Sequence, residues 1–266
     1  MDRTIDARYR IIRRIGAGGM GTVYEVVRLS DGKHLALKTL RGRADSVRWA
    51  RFAREAQIAA GLAHPNLVPV IDLGISDGIL FLVMPLVEGG SLEAHRSRFG
   101  DRRWGESMLL PIARSLAALH DGGIIHRDIK PANILLGDGV PIITDFGIAA
   151  LTPEPRDTRD SDDDALARTM PAPLDKREIS GTIAYMAPEQ ARGDAQTASD
   201  IFAFGLVAAE LLTGASPFLE APVAALLAGR AVAPPDVASV PGIIARCLEL
   251  EPSHRPTAAE LVRALA

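Results

Sequence analysis

Cysteine occurs once in the 266 residues, at Cys247. A single thiol excludes an intrachain disulfide and a cysteine-cluster metal site, and it suits the reducing cytoplasm. An excess of either charge is also missing: 30 Lys and Arg against 33 Asp and Glu leave a formal net charge of −3. That balance provides no basic footprint for nucleic acid or acidic lipid, so neither is expected as a partner. Long apolar runs are absent too. The longest, Ile79–Val87, is far short of the ~18–20 residues that cross a bilayer, so a soluble chain without membrane contact is expected. No apolar signal core follows Met1-Asp2-Arg3-Thr4-Ile5-Asp6, and no internal repeat appears. The helix-like ending Leu261–Ala266 raises the expectation of a piece of something longer. With 47% hydrophobic and 24% charged residues, the chain can bury an ordinary globular core.

The first ninety residues read mostly as strand. Arg10–Gly16, Thr22–Leu29, His34–Leu40, Leu67–Leu73 and Ile79–Met84 are short apolar or β-branched runs parted by Gly, Asp and Pro. One helix interrupts them at about Ser46–Leu62, with Trp49, Phe52, Ala56, Ala59 and Leu62 as its apolar stripe. Beyond Ser91 the spacing becomes helical, over Glu106–Asp121, Ser199–Thr213, Val223–Gly229, Pro241–Leu250 and Thr257–Ala264. Gly122-Gly123 suits a helix end, and Ser199 and Thr257 suit N-caps. Glu88-Gly89-Gly90 is the expected hinge between the sheet-rich and the helical part. Thr152–Lys176 carries four prolines and the acidic run Asp160–Asp164 with few apolar residues, and reads as a solvated loop.

Chemistry is concentrated in four places. Gly16-Ala17-Gly18-Gly19-Met20-Gly21 is a glycine run whose bare backbone can approach phosphate oxygens. The Thr22–Val27 stretch behind it reads as strand rather than helix. A flap-like hairpin over a ligand therefore fits better than a dinucleotide fingerprint. Lys38 closes an apolar strand, and Glu55 sits on the apolar stripe of the next helix. A carboxylate on a buried face needs a partner, and Lys38 is the obvious one. His126-Arg127-Asp128-Ile129-Lys130-Pro131-Ala132-Asn133 packs polar residues between two apolar runs, and Asp145 ends another apolar strand seventeen residues after Asp128. Asn133 and Asp145 offer amide and carboxylate oxygen to one hard cation, a donor set suited to Mg²⁺.

These elements, with Ala187-Pro188-Glu189, stand in an order that resembles the protein kinases, and most closely the eukaryotic-type (Hanks-type) serine/threonine kinases of bacteria. The resemblance implies an α+β, bilobal kinase-like fold in a single catalytic domain over 1–266. It implies a small antiparallel-sheet lobe over about 1–87, a helical lobe over about 88–266, and an activation segment over 145–189. By resemblance, Gly16, Ala17, Gly18 and Gly21 would cover the ATP phosphates, and Val23 and Ala36 would line the adenine pocket. Met84 would guard its rear, and the backbone of Pro85 and Val87 would bond adenine. Lys38, held by Glu55, would grip the α- and β-phosphates. Asp128 would take the hydroxyl proton, Lys130 would neutralise the γ-phosphate, and Thr182 would contact both and shape the substrate floor. Asn133 and Asp145 would bind the metal, Mg²⁺ or alternatively Mn²⁺. Asp200 would cap the loop around Asp128, Glu189 and Arg255 would form a buried brace, and Phe202 would replace a common tryptophan. Protein substrates bearing Ser or Thr and pairing of small lobes into a homodimer are implied in the same way. Cys247 and the histidines other than His126 read as structural.

The activation segment is 45 residues long counted inclusively. The positions six and eight before Thr182, where bacterial relatives carry phosphoacceptor threonines, are Lys176 and Leu174 here. Thr152, Thr158, Ser161, Thr169 and Ser180 remain as acceptors for autophosphorylation, with Thr169 foremost. A phosphate there would have Arg127 as its cation, and Asp175 or Glu178 supplying a permanent charge is the rival reading. Two further classes stand against the active enzyme. A pseudokinase or nucleotide-binding scaffold is disfavoured because Lys38, Glu55, Asp128, Asn133 and Asp145 are all kept. A small-molecule phosphotransferase is disfavoured by Gly181-Thr182 and Ala187-Pro188-Glu189.

Overall fold

Short apolar strands build the amino-terminal part of the chain. In the computed structural model, which describes residues 4–18, 21–40, 42, 49–50, 52–54, 61–145 and 183–266, six strands form one antiparallel sheet. They are β1 (Thr4–Ile5), β2 (Tyr9–Gly18), β3 (Gly21–Arg28), β4 (His34–Leu40), β5 (Asp72–Ser76) and β6 (Ile79–Pro85), ordered β1-β2-β3-β4-β6-β5. Strand β4 shows how the sheet sorts its side chains. Leu35 and Leu37 join Tyr9, Val26, Phe81 and Val83 on one face, while Ala36 and Leu40 join Phe52, Val68, Leu82 and Met84 on the other. Lys38 follows the parity of Ala36 and Leu40, so the sheet's own pleat turns it to that second face.

One strand differs from expectation. Of Leu67–Leu73, only Asp72 and Leu73 lie in the sheet, whereas Leu67 makes a single parallel bridge to Ile143. Pro69 has no N–H to give a ladder, and Val68 instead donates to the carbonyl of Ile143 at 2.9 Å. Of the expected helix at 46–62, positions 49–50 and 52–54 are helical, 61 is a turn, and the rest lies outside the described residues or outside regular structure.

The carboxy-terminal half is helical: α1 (Arg102–Asp121), α2 (Thr197–Thr213), α3 (Pro222–Leu227), α4 (Gly242–Cys247) and α5 (Ala258–Leu265), with a β7–β8 hairpin (Ile134–Gly137, Val140–Ile143). Helix α2 is apolar nearly all round and is correspondingly buried, from Ile201 through Leu212 apart from Glu210. It packs so closely on α4 that a Cβ on Gly205 would stand 2.7 Å from that of Cys247. The expected cap at Thr257 is present, with Glu260 N–H donating to its hydroxyl and Glu260 accepting from Thr257 N–H. The expected cap at Ser199 is not: α2 starts at Thr197, and Ser199 lies in its first turn. Its hydroxyl accepts from Gln196 N–H and donates to Glu189 at 2.7 Å. Tertiary demand from the buried carboxylate recruits it inside the helix. The junction of the halves is pinned. A Cβ on Gly89 would be 2.1 Å from the Leu136 carbonyl, and Leu136 N–H donates to Gly90 O at 2.8 Å. Close approach to β7 therefore explains Gly89. No helix among the described residues is long and apolar enough to cross a membrane.

Candidate active site

Between the sheet and the helical half runs a cleft of about 1020 Å³. Its wall holds Gly16, Ala17, Gly18, Gly21, Val23, Ala36, Lys38, Met84, Pro85 and Val87 from the sheet side and Asp128, Lys130, Asn133 and Asp145 from below. Sequence reasoning thus named residues from β2, β3, β4, β6 and two loops that the fold brings into one space. Glu55 and Thr182 lie outside the described residues, as do Thr152, Thr158, Ser161, Thr169 and Ser180.

Gly16 and Gly18 end β2 and Gly21 opens β3, with Gly16 paired to Val23 and Gly18 to Gly21 across the ladder. A Cβ on Gly21 would sit 1.8 Å from the Thr39 carbonyl, so only glycine lets the hairpin lie this close to β4. Lys38 is 5% exposed, and its Nζ lies 2.7 Å from Asp145 Oδ1. Burial alone would raise the Asp145 carboxyl, but the Lys38 ammonium more than offsets it and holds it below its ordinary value. Lys38 was expected to meet Glu55; the partner seen among the described residues is Asp145.

Asp128 is fixed from both sides. Lys130 Nζ is 2.9 Å from its Oδ1, and Asn133 Nδ2 donates to its Oδ2 at 2.9 Å and to its carbonyl at 2.8 Å. Pro131–Asn133 is a single 3₁₀ turn with proline at its start. That turn aims Asn133 back at Asp128, because proline sets φ for the first position. His126, wholly buried, accepts from Asp128 N–H at Nδ1, which leaves Nε2–H to donate to the Thr144 carbonyl at 2.9 Å. Arg127 and Asp145 both have left-handed backbone, with φ of 69° and 66°. That conformation costs a side-chain-bearing residue roughly 1–2 kcal/mol, so the surroundings must hold it.

What holds Arg127 is Asp200. Its two carboxylate oxygens accept the N–H groups of His126 and Arg127, each at 2.8 Å. Farther out, Glu189 and Arg255 meet at 2.6 and 3.0 Å, both buried. Burial opposes ionisation of Glu189, and its bonds from Arg255 and Ser199 nevertheless keep its carboxyl below the ordinary value. Arg255 also lies over the Phe202 ring at 4.8 Å, so phenylalanine meets the demand for a flat aromatic partner. Cys247 is fully buried, and burial pushes its thiol up to about 12, consistent with a core role.

Sequence reasoning missed several participants. Leu135 and Thr144 line the cleft, and Thr144 Oγ1 lies 3.7 Å from the Met84 sulfur. Hydrophobicity alone did not separate Leu135 from its core neighbours. His120 bonds Asp200 at 2.9 Å, and nothing local marks a residue whose partner is eighty positions away. At the open end of the cleft, Arg96 bonds Glu93, Tyr185 and Glu210, and Tyr185 donates to Glu210 at 2.6 Å. Burial, and then the Glu210 carboxylate, push the Tyr185 hydroxyl well up.

The fit to a divalent cation rests on the donors. The Asp145 carboxylate and the Asn133 side-chain oxygen border the same cleft, and both are hard ligands. Among the described residues no cluster of three or more His, Cys, Asp and Glu side chains offers another metal site.

The cleft brings together a glycine hairpin, the buried Lys38 and an Asp128 held by Lys130 and Asn133. The protein kinase domain profile matches residues 9–265, and the chain belongs to that family. It is 35% identical to the serine/threonine-protein kinase PkaA of Streptomyces coelicolor over 99% of this chain and 50% of that protein. It is 39% identical to PrkC of Bacillus subtilis over 81% of this chain and 32% of that protein. The chain thus spans half or less of the length of these curated relatives. Among solved structures, the kinase domain of Mycobacterium tuberculosis PknI superposes with a TM-score of 0.69 at 28% identity, covering 99% of this chain and 96% of that one. Membership of the family implies ATP, a divalent metal ion and protein substrates.

Proposed function

We propose that this chain transfers the γ-phosphoryl group of ATP to serine and threonine hydroxyls of proteins, with Mg²⁺ as the divalent ion. The observation that carries the reading is the convergence of Asp128, Lys130, Asn133, Asp145 and Lys38 on one cleft beneath the Gly16–Gly21 strap. Phosphoryl transfer passes through a loose transition state, so orientation and charge count more than a strong base. Asp128, clamped between Lys130 and Asn133, orients the hydroxyl and accepts its proton as the oxygen attacks in line. Lys130 faces the charge gathering on the transferred group. Lys38, with Glu55 as its second partner, holds the α- and β-phosphates. The glycine strap donates backbone N–H groups, and Val23, Ala36 and Met84 enclose the base, which bonds the backbone of Pro85 and Val87. Asn133 and Asp145 hold the cation, which when bound offsets phosphate charge. Thr182 orders the substrate floor, and autophosphorylation at Thr169 places a phosphate opposite Arg127. The reading includes a cytoplasmic catalytic domain and homodimer pairing of small lobes.

The test is transfer of labelled γ-phosphate from ATP–Mg²⁺ to the chain and to a generic basic protein, with Asp128→Asn beside it. Wild-type transfer that falls on the order of 10²–10⁴-fold in the variant is expected. ATP binding without any transfer by the wild type would overturn the reading in favour of a nucleotide-binding scaffold.

A further inference from the structure

Strand β3 carries an acid on the wall of the cleft. Glu25 stands opposite Ala36 in the ladder, so its side chain shares the cleft face with Ala36 and Val23. That side chain is only 11% exposed, and both of its oxygens are taken by neighbouring strands. Arg13 Nε of β2 lies 2.7 Å from Oε2, and His34 Nδ1 of β4 lies 2.7 Å from Oε1. A carboxylate only accepts, so Nδ1 of His34 carries the proton in that contact. We propose that Glu25 is a positioning residue for nucleotide binding, fixing the register of β2 on β3 so that Gly16 and Gly18 come down over the phosphates. The inference deepens the kinase reading above and rests on it.

The need for such a tie lies in β2. Its pairing with β3 is interrupted twice, between Ile11 and Arg13 and again between Arg14 and Gly16, which leaves Ile12 and Ile15 without partners in the ladder. Between these bulges only Arg13 and Arg14 pair regularly, opposite Glu25 and Tyr24. A bulge disrupts the ladder locally, and a slip of one residue sends each side chain to the other face. Gly16 follows the second bulge directly, so the strap takes its position from the Arg13–Arg14 pairing. Glu25 grips Arg13 there and is itself held through His34 to β4, the strand that carries Lys38. The His34 bond, with the Arg13 charge behind it, holds the Glu25 carboxyl below its ordinary value, so the ion makes both contacts at neutral pH. Arg13 is 65% exposed, and an ion pair that open to water adds little to global stability. The tie therefore governs where the strap lies rather than whether the chain folds.

The test separates phosphates from base. Glu25→Leu keeps bulk and removes the carboxylate, Arg13→Met removes one donor, and Arg13→Lys keeps the cation. The double variant Arg13→Met/Glu25→Leu asks whether the two residues act as one unit. We expect the Kd for ATP to rise about twofold to fivefold in Arg13→Met, the fold-change equivalent to an exposed ion pair. Glu25→Leu loses both strand contacts and should raise it about fivefold to tenfold. The double variant should be no worse than Glu25→Leu, and Arg13→Lys should stay within about twofold of the wild type. Adenosine has no phosphate, and its Kd should stay within about twofold throughout, as should kcat at saturating ATP. Hydrogen exchange at the amides of residues 15–18 should accelerate in Glu25→Leu and Arg13→Met and not in Arg13→Lys, while amides of β4 and β6 stay protected. An unchanged ATP Kd in Glu25→Leu overturns the proposal. So do equal losses for ATP and adenosine, additive losses in the double variant, or unchanged exchange over residues 15–18. If Glu25→Leu does not fold, Arg13→Met against Arg13→Lys carries the comparison. If the wild type binds ATP and transfers no phosphate, the kinase reading fails, and the binding and exchange measurements still decide whether Glu25 places the strap.

Discussion

The sheet half and the helical half meet the cleft with different materials. The sheet contributes mostly backbone and apolar wall, with glycines bare enough to approach phosphates and the buried cation Lys38. Its apolar interior is divided between two small clusters, one on each face. The helical half contributes the polar groups, and it is built around a single large cluster that runs from Leu67 to Leu261. Polar groups near the chemistry on that side are tied down: Asn133 to Asp128, His126 to Thr144, Asp200 to His126 and Arg127, Glu189 to Arg255. Groups that must face developing charge within a few tenths of an ångström are anchored in the larger core, where packing resists displacement. The hairpin proposed to cover the nucleotide rests on the thinner sheet. Rigidity is placed where the reaction needs it.

Removing the brace should have the largest effect and would break this contrast if it did not. Glu189→Ala leaves the Arg255 guanidinium buried without its carboxylate, and a loss of about 3–5 kcal/mol is expected in denaturant unfolding. The same pair sets a pH dependence. The Glu189 carboxyl is held below its ordinary value in the folded chain. Its stabilisation is therefore complete above the unfolded value near pH 4 and is lost as the pH falls through the depressed folded value. Thermal melts from pH 7 downward should show a decline below about pH 4 that is smaller in Glu189→Gln.

Gly21→Ala sharpens the contrast from the other side. The added Cβ meets the Thr39 carbonyl at 1.8 Å, so the hairpin must move. We expect the KM for ATP to rise about tenfold to a hundredfold, on the scale of a misplacement near 1 Å, while the melting transition of the helical half stays where it was. A large fall in stability with ATP affinity unchanged would show that the strap is a structural element and not a nucleotide cover. The smallest effect is expected far from both. Thr257→Ala removes the hydroxyl that caps α5 at Glu260 N–H and should cost about 1 kcal/mol by denaturant unfolding, with kcat unchanged.

Much of this was legible in advance, and the reason lies in the kind of signal each element carries. His34–Leu40 is a short apolar run closed by Lys38 before Thr39 and Leu40, and the strand has those bounds. The Thr257 cap with Glu260 three residues on is a local pattern satisfied by local bonds. Leu67–Leu73 is equally apolar and yet mostly not strand, because Pro69 and the reach to Ile143 outweigh its propensity. Ser199 has the chemistry of a cap, and it caps from inside the first turn, accepting from Gln196 N–H while it donates to the buried Glu189. Gly89 suggested freedom of motion, and its neighbour Leu136 shows that it is there for closeness.

By itself the sequence determined the inventory and its order: a glycine turn between strands, a lysine in an apolar strand, an aspartate with its lysine and asparagine, and a second aspartate at a strand end. These are local because strand pleat and turn chemistry act over a few residues. Only the tertiary structure decided who meets whom. Lys38 pairs with Asp145 from more than a hundred positions away, and Asp200 holds a loop more than seventy residues earlier. Such partners are selected by burial, since a charge taken out of water must find its counterpart wherever the packed helices and sheet bring one within reach.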